Sequence, residues 1–150
     1  MSLYEMIKKM PMFEEFSDKE KKAFVKMEHT LCEFRQGDTI IKDGESLTSI
    51  FLLVKGSVLI SKTVNDAPIR LAKLRPGEIF GEMSFFSHRS RQSNVIASED
   101  VLAIKIDENF FKNAKPGIKD KINSYFIEVL VNRLDAMNDS IMTISKLVRS

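Results

Sequence analysis

Between Ile79 and Ala97, in IFGEMSFFSHRSRQSNVIA, one carboxylate (Glu82) and two guanidinium groups (Arg89 and Arg91) interrupt an apolar segment. Gly81 lets a backbone come close to a bound group, because it has no Cβ in the way. If the residues after it turn into a short helix, their N–H groups form a ready site for an anion. Arg91 stands nine residues after Glu82 and can fold back to give a bidentate, charge-assisted bond to a phosphate. Ionised Glu82 accepts hydrogen bonds only, which suits a hydroxyl donor such as that of a ribose. An anion-binding half and a sugar-binding half on one loop describe a nucleotide monophosphate. The competing reading is a structural Glu82–Arg91 ion pair that neutralises itself. Arg89, at the loop tip, is either a second phosphate contact or a solvated residue, and His88 beside it reads as solvated.

Other chemistry is hard to find. The chain has no Gly-rich loop followed by Lys-Ser/Thr, no G-x-G-x-x-G, no H-E-x-x-H and no G-x-S-x-G, which are the common signatures of nucleotide hydrolysis, dinucleotide binding, zinc proteolysis and acyl transfer. His29 and His88 lie in unrelated regions and Cys32 is the only cysteine, so neither a metal cluster nor a disulfide framework is expected. His29 reads as the end of a helix and Cys32 as a small, half-buried hydrophobe. These absences argue against an enzyme. The formal net charge of +2 comes from interspersed signs with no basic tail, which does not favour direct nucleic-acid binding. No apolar run approaches the roughly 18 residues of a membrane span. MSLYEMIKKM lacks the apolar core of a signal peptide. A reducing, cytoplasmic setting without membrane attachment is the expectation.

The elements that must carry the loop follow from periodicity. In residues 1–30, Leu3, Met6, Ile7 and Met10 share one helical face, Pro11 breaks it, and Ser17-Asp18-Lys19-Glu20 opens a second helix through about Glu28. From 31 to 107 the pattern changes to short β-type runs: TLCEF, DTIIK, SIFLLVKG, SVLISKTV, PIRLAKL, SNVIAS and VLAIKI. Gly37, Gly44, Gly56 and Gly77 fall at the breaks. Turn signals every 8–12 residues or so predict a sandwich or barrel, and no helix-length segments separate the strands as a doubly wound sheet requires. The third zone, 108–150, is helical and has no Pro or Gly after Gly117. Ile127, Leu130, Leu134, Met137, Ile141, Ile144 and Val148 repeat at alternating spacings of 3 and 4, which is a heptad seam. Ile122, Phe126 and Val129 make an earlier stripe. A helix that packs on the β-domain first and then dimerises with a second copy fits both stripes. The alternative buries the seam against the chain's own N-terminal helices.

The sequence resembles the cyclic nucleotide-binding domain family along nearly its whole length. RPGEIFGEMSFFSHRSRQSNVIA is similar to that family's phosphate-binding cassette, here 79–97. MPMFEEFSDKEKKAF resembles the helical entry, and FRQGDTIIKDGE with IFLLVKGSVLI resembles the glycine-punctuated strands. The resemblance implies a mainly β fold with flanking helices: an eight-stranded, jelly-roll-like β-roll with N-terminal helices and a long C-terminal helix, in a single domain over 1–150. It implies that Glu82 takes the ribose hydroxyl and Arg91 the cyclic phosphate. Gly81, Ser84 and Gln92 then line the phosphate, with Phe80, Met83 and Ser93 as further candidate ligand-binding residues, Leu71 and Ala72 lie along the base, and Met137 and Asn138 lid it. Ser90 precedes the arginine and bulky Gln92 follows, where the family commonly has small residues. A Thr after the arginine, which often accompanies cyclic GMP preference, is missing, and that favours cyclic AMP.

A cyclic nucleotide, with no metal, is therefore the expected ligand of a regulatory sensor, and the C-terminal helix transmits occupancy to an effector protein not specified by the sequence. Because the chain ends at Ser150, directly after that helix, no output domain of its own is expected. Arg91→Ala is expected to remove ligand binding and spare the fold, on the view that the loop is near the surface. The alternative expectation is a domain that keeps the fold as an interaction module without nucleotide.

Overall fold

A computed structural model describes residues 1–27 and 31–149. It divides into two compact units, 1–114 and 115–150. The first opens with α1 (Leu3–Ile7), a 3-10 turn at Pro11–Phe13, and α2 (Asp18–Val25). Ser17 caps α2 as the sequence foretells. Its hydroxyl accepts from the Glu20 amide while the Glu20 carboxylate accepts from the Ser17 amide, a reciprocal capping box. α2 stops three residues before the expected Glu28. His29, read as a helix end, lies outside the described residues. Phe13, Phe16 and Phe24 pack edge to face, and Phe24 meets Phe110 at 5.4 Å, so the N-terminal helices share an aromatic cluster with the segment after the last strand.

Eight strands follow: β1 (Leu31–Phe34), β2 (Thr39–Ile41), β3 (Ile50–Lys55), β4 (Val58–Val64), β5 (Ala67–Leu74), β6 (Ile79–Phe80), β7 (Asn94–Ala97) and β8 (Val101–Ile106). They form two antiparallel four-stranded sheets, ordered β1-β8-β3-β6 and β2-β7-β4-β5. The ladders therefore do not close into one barrel. Each sheet keeps two edges, and side chains rather than main-chain bonds join the layers. Ile41, Phe51, Leu53, Val58, Leu74, Phe80, Val95, Ala97, Val101 and Ala103 fill the space between them. The continuous apolar run of β3 is explained by its position, since all its residues but Lys55 are buried. β6 is only two residues long, too short to show periodicity. It pairs with β3 through Phe51↔Phe80 and Leu52↔Ile79. The turn from β3 to β4 passes so close to the Asp100 carbonyl that a Cβ on Gly56, whose φ is +91°, would collide with it.

α3 (Glu82–Ser87) interrupts the strands, and α4 (Glu108–Asn113) follows β8 with Asp107 as its N-cap. The second unit holds α5 (Pro116–Arg149), 34 residues long. Proline at its first position costs no hydrogen bond, because that N–H has no intrahelical acceptor. Ile118, Ile122 and Phe126 of α5 are buried, whereas Ile127, Leu134, Met137, Ile141, Ile144 and Val148 are each at least 57% exposed. No helix among the described residues is long and apolar enough to cross a membrane.

Candidate functional site

β6 delivers the chain into Gly81, which has φ +85° and is the left-handed N-cap of α3. Two constraints make glycine necessary there. The φ value is unfavourable for an L side chain, and a Cβ would lie 2.8 Å from the Ser49 carbonyl oxygen and 3.0 Å from Arg91 Nη1. The crowding arises because Arg91 reaches into the same place. Its Nη1 donates to the Gly81 carbonyl at 2.9 Å and its Nη2 to the Ser49 carbonyl at 2.7 Å. The Arg91 main chain is clamped as well: its N–H donates to Glu45 O at 2.7 Å, and Gly44 N–H donates to Arg91 O at 2.8 Å. Three residues on, the Asn94 side-chain oxygen accepts from the Asp43 amide. The β2–β3 connection and the cassette are therefore one hydrogen-bonded unit.

Arg91 is 3% exposed. Burial is the largest influence on its guanidinium and pushes the pKa below the ordinary arginine value; the charges of Glu45 and Glu82 push it back up without restoring it. Its two recorded hydrogen-bond partners are neutral carbonyls. A buried cation is stabilised by an anionic partner. A guanidinium has five N–H donors, so the carbonyls engage only part of its capacity. Arg91 borders a cleft of about 150 Å³ together with Gly81, Glu82, Met83, Ser84, Gln92 and Ser93, over a floor of Ile41, Ile60 and Val95. That is about half the lower limit of ordinary ligand pockets, roughly 300 Å³, so the cleft suits a compact polar group such as a sugar-phosphate better than a whole nucleotide.

Seven of the predicted site residues come together here: Gly81, Glu82, Met83, Ser84, Arg91, Gln92 and Ser93. Ser84 is buried, while Met83 is 62% exposed. The Gln92 side-chain amide folds back to the Ser90 carbonyl at 3.3 Å. Phe80 lies in the core, stacked on Phe51 with centroids 5.1 Å apart. Leu71 is exposed on edge strand β5, and neighbouring Ala72 packs partly against the core. Met137 and Asn138 are exposed residues of α5. Arg89 and His88 are exposed too, and His88 ends α3 in a left-handed conformation. Sequence reasoning did not single out Ile41, Ile60 and Val95, which read simply as strand residues, nor Glu45 and Ser49, whose hydrogen bonds to Arg91 are made by main-chain oxygens. Among the described residues no group of three or more His, Cys, Asp or Glu side chains is placed to hold a metal ion. Cys32 is half-buried, and burial pushes its thiol pKa up.

The burial of Arg91 removes the ground for expecting Arg91→Ala to spare the fold, since the side chain is not at the surface. The change strips the donors from two carbonyls in a crowded interior, at about 1–3 kcal/mol each. Thermal melts should therefore place Arg91→Ala well below the parent, by about 5 °C or more. Gly81→Ala should cost about 1–2 kcal/mol for the left-handed backbone alone. An Arg91→Ala protein that melts with the parent would show that the guanidinium does not hold the cassette.

Residues 31–115 match the cyclic nucleotide-binding domain. Over 95 residues, 61% of this chain and 12% of the relative, the sequence is 36% identical to cGMP-dependent protein kinase 2 of Mus musculus. Over 112 residues, 73% of this chain and 49% of the relative, it is 26% identical to a CRP-like cAMP-activated global transcriptional regulator of Mycobacterium tuberculosis. The chain thus spans about one-eighth of the kinase and about half of the regulator. The catabolite activator protein of Thermus thermophilus has the same fold, with a TM-score of 0.76 at 21% identity over 90% of this chain and 63% of that one. A cyclic nucleotide-binding domain from Methylobacillus flagellatus also has a TM-score of 0.76, at 20% identity over 93% and 80% of the two chains. The matched segment takes in both sheets and every residue of the Arg91 cleft, and on that ground the chain belongs to the cyclic nucleotide-binding domain family.

Proposed function

We propose that the chain is a regulatory sensor that binds a cyclic nucleotide, cyclic AMP in preference to cyclic GMP, in the Arg91 cleft. The observation that carries this reading is a buried guanidinium, bonded through Nη1 and Nη2 to neutral carbonyls, on the wall of a cleft of about 150 Å³. In this reading Arg91 takes the cyclic phosphate together with first-turn amides of α3. Glu82, on the same wall, takes the ribose hydroxyl. Leu71 and Ala72 run along the base, with Met137 and Asn138 as its lid. The preference for cyclic AMP is supported by the residue after Arg91, which is Gln rather than Thr. The domain performs no catalysis in this proposal and works in the cytoplasm.

Output passes through α5. Ile127, Leu134, Met137, Ile141, Ile144 and Val148 of its heptad are exposed large apolar side chains, and such a row on a long helix is accounted for by a second copy of the same helix. The heptad puts Ile127, Leu134, Ile141 and Val148 at one seam position and Leu130, Met137 and Ile144 at the other. Ligand closure at Met137 and Asn138 would bias the position of that helix, and an effector protein would read the change.

A second reading has its own support. Arg91 already holds Gly81 and Ser49 in place, so the cassette is organised by its own hydrogen bonds. The domain then serves as an interaction module and does not bind nucleotide in the cell.

Isothermal titration separates the two. The sensor reading predicts saturable binding of cyclic AMP and weaker binding of cyclic GMP. It also predicts a loss of about tenfold or more for Arg91→Lys, which keeps the charge without the planar fork. No heat from either nucleotide at millimolar concentration would favour the interaction module. For the seam, sedimentation velocity should show a dimer that Leu134→Asp converts to monomer; a monomeric parent would contradict dimerisation through α5.

A further inference from the structure

In segment 91–94, of which Arg91, Gln92 and Ser93 border the cleft, the outer residues are held from the β2–β3 connection: Arg91 by Gly44 and Glu45, and Asn94 by Asp43. The middle is held from the opposite side. Lys62, half-buried on β4, donates from Nζ to the Gln92 carbonyl at 2.9 Å. The β4–β7 ladder runs from Val58↔Ala97 to Ser61↔Asn94, so Gln92 and Ser93 lie just past its end. There the ammonium of Lys62 provides the cross-strand bond that the main chain no longer makes.

This bond fixes more than one carbonyl. No cis peptide is present among the described residues, and in a trans peptide the C=O and the following N–H point in opposite directions. With the Gln92 oxygen turned toward Lys62, the Ser93 N–H points away from it. Ser93 borders the cleft. Lys62 is also a cation two residues along the strand from Ile60, part of the cleft floor, and so adds positive potential beside a cleft whose wall already contains Arg91.

We propose that Lys62 is a positioning residue of the anion site: it holds the Gln92–Ser93 peptide so that the Ser93 amide is presented to a bound phosphate, and it strengthens the field that attracts the anion. The inference builds on the nucleotide-binding reading of the Arg91 cleft and adds a residue that neither the motif nor the cleft lining identifies. A hydrogen bond from a partly exposed ammonium to a carbonyl has a modest worth, so the effect on binding is graded and not all-or-none.

The test uses the full chain, cyclic AMP and cyclic GMP, and three proteins: the parent, Lys62→Met and Lys62→Arg. The Met variant retains the apolar stem and lacks the donor and charge. It should bind about three- to tenfold more weakly than the parent, with a shallower salt dependence of Kd because one cation has left the site. The Arg variant, which restores both donor and charge, should recover most of the loss, and all three should melt together. A Met variant within twofold of the parent would overturn the role of Lys62 and leave the cleft reading standing. An Arg variant no better than Met, or a drop in melting temperature that tracks the loss of affinity, would overturn the positioning role. A parent that binds neither nucleotide would overturn the cleft reading itself, and this inference with it.

Discussion

Arg91 uses one planar cation to fasten together two stretches of main chain far apart in sequence. Its Nη1 and Nη2 reach the carbonyls of Gly81 and Ser49, and its own backbone is bonded to Gly44 and Glu45. Most features of the cleft follow from this arrangement. Gly81 must lack a Cβ because the guanidinium and the Ser49 oxygen occupy the space. α3 begins where it does because Gly81 turns the chain through a left-handed conformation. The β2–β3 connection keeps its path because it supplies three of the oxygens or amides that hold Arg91. Burying a cation is costly unless it is paired, and burial is the largest influence on the Arg91 guanidinium. The residue that organises the cassette also borders the cleft.

That dual use bears on how the two readings of Glu82 and Arg91 relate. Each was first open to being half of a self-neutralising pair. In the structure the recorded guanidinium bonds go to carbonyls, and Glu82 shares its electrostatic influence on Arg91 with Glu45. Glu82 and Arg91 stand together on one wall of the cleft. The second sheet supplies what the loop lacks: Ile41, Ile60 and Val95 give the cleft an apolar floor, which excludes water and strengthens charge interactions above it.

Much of this was legible in the sequence, and the exceptions have physical reasons. Short apolar runs broken by glycine foretold the strands, and Ser17 with Glu20 foretold the start of α2. The two-residue strand β6 carries too little sequence for a period, and the split into two sheets depends on which edges pair, which no local pattern specifies. The resemblance puts Phe80 in the site, yet pairing of β6 with β3 stacks it on Phe51 in the core, and a two-residue strand with both residues buried has no period to reveal that. The burial of Arg91 was misjudged because charge alone suggests exposure, and its partners are main-chain oxygens that every residue possesses. Lys62 was invisible for a related reason, since its acceptor is also a backbone carbonyl. The 34-residue helix α5, by contrast, was readable from its periodicity residue by residue.

The central claim is that a ligand phosphate engages Arg91 while the guanidinium still holds Gly81 and Ser49. Two-dimensional nitrogen–proton NMR of the full chain, recorded through a titration with cyclic AMP, addresses it at the atom concerned. The account predicts that the Arg91 side-chain N–H resonance is visible without ligand, protected by burial, and that it shifts with saturation together with the amides of Gly81, Ser84 and Ser93. Binding that moves resonances elsewhere while the Arg91 side chain and those three amides stay fixed would contradict it.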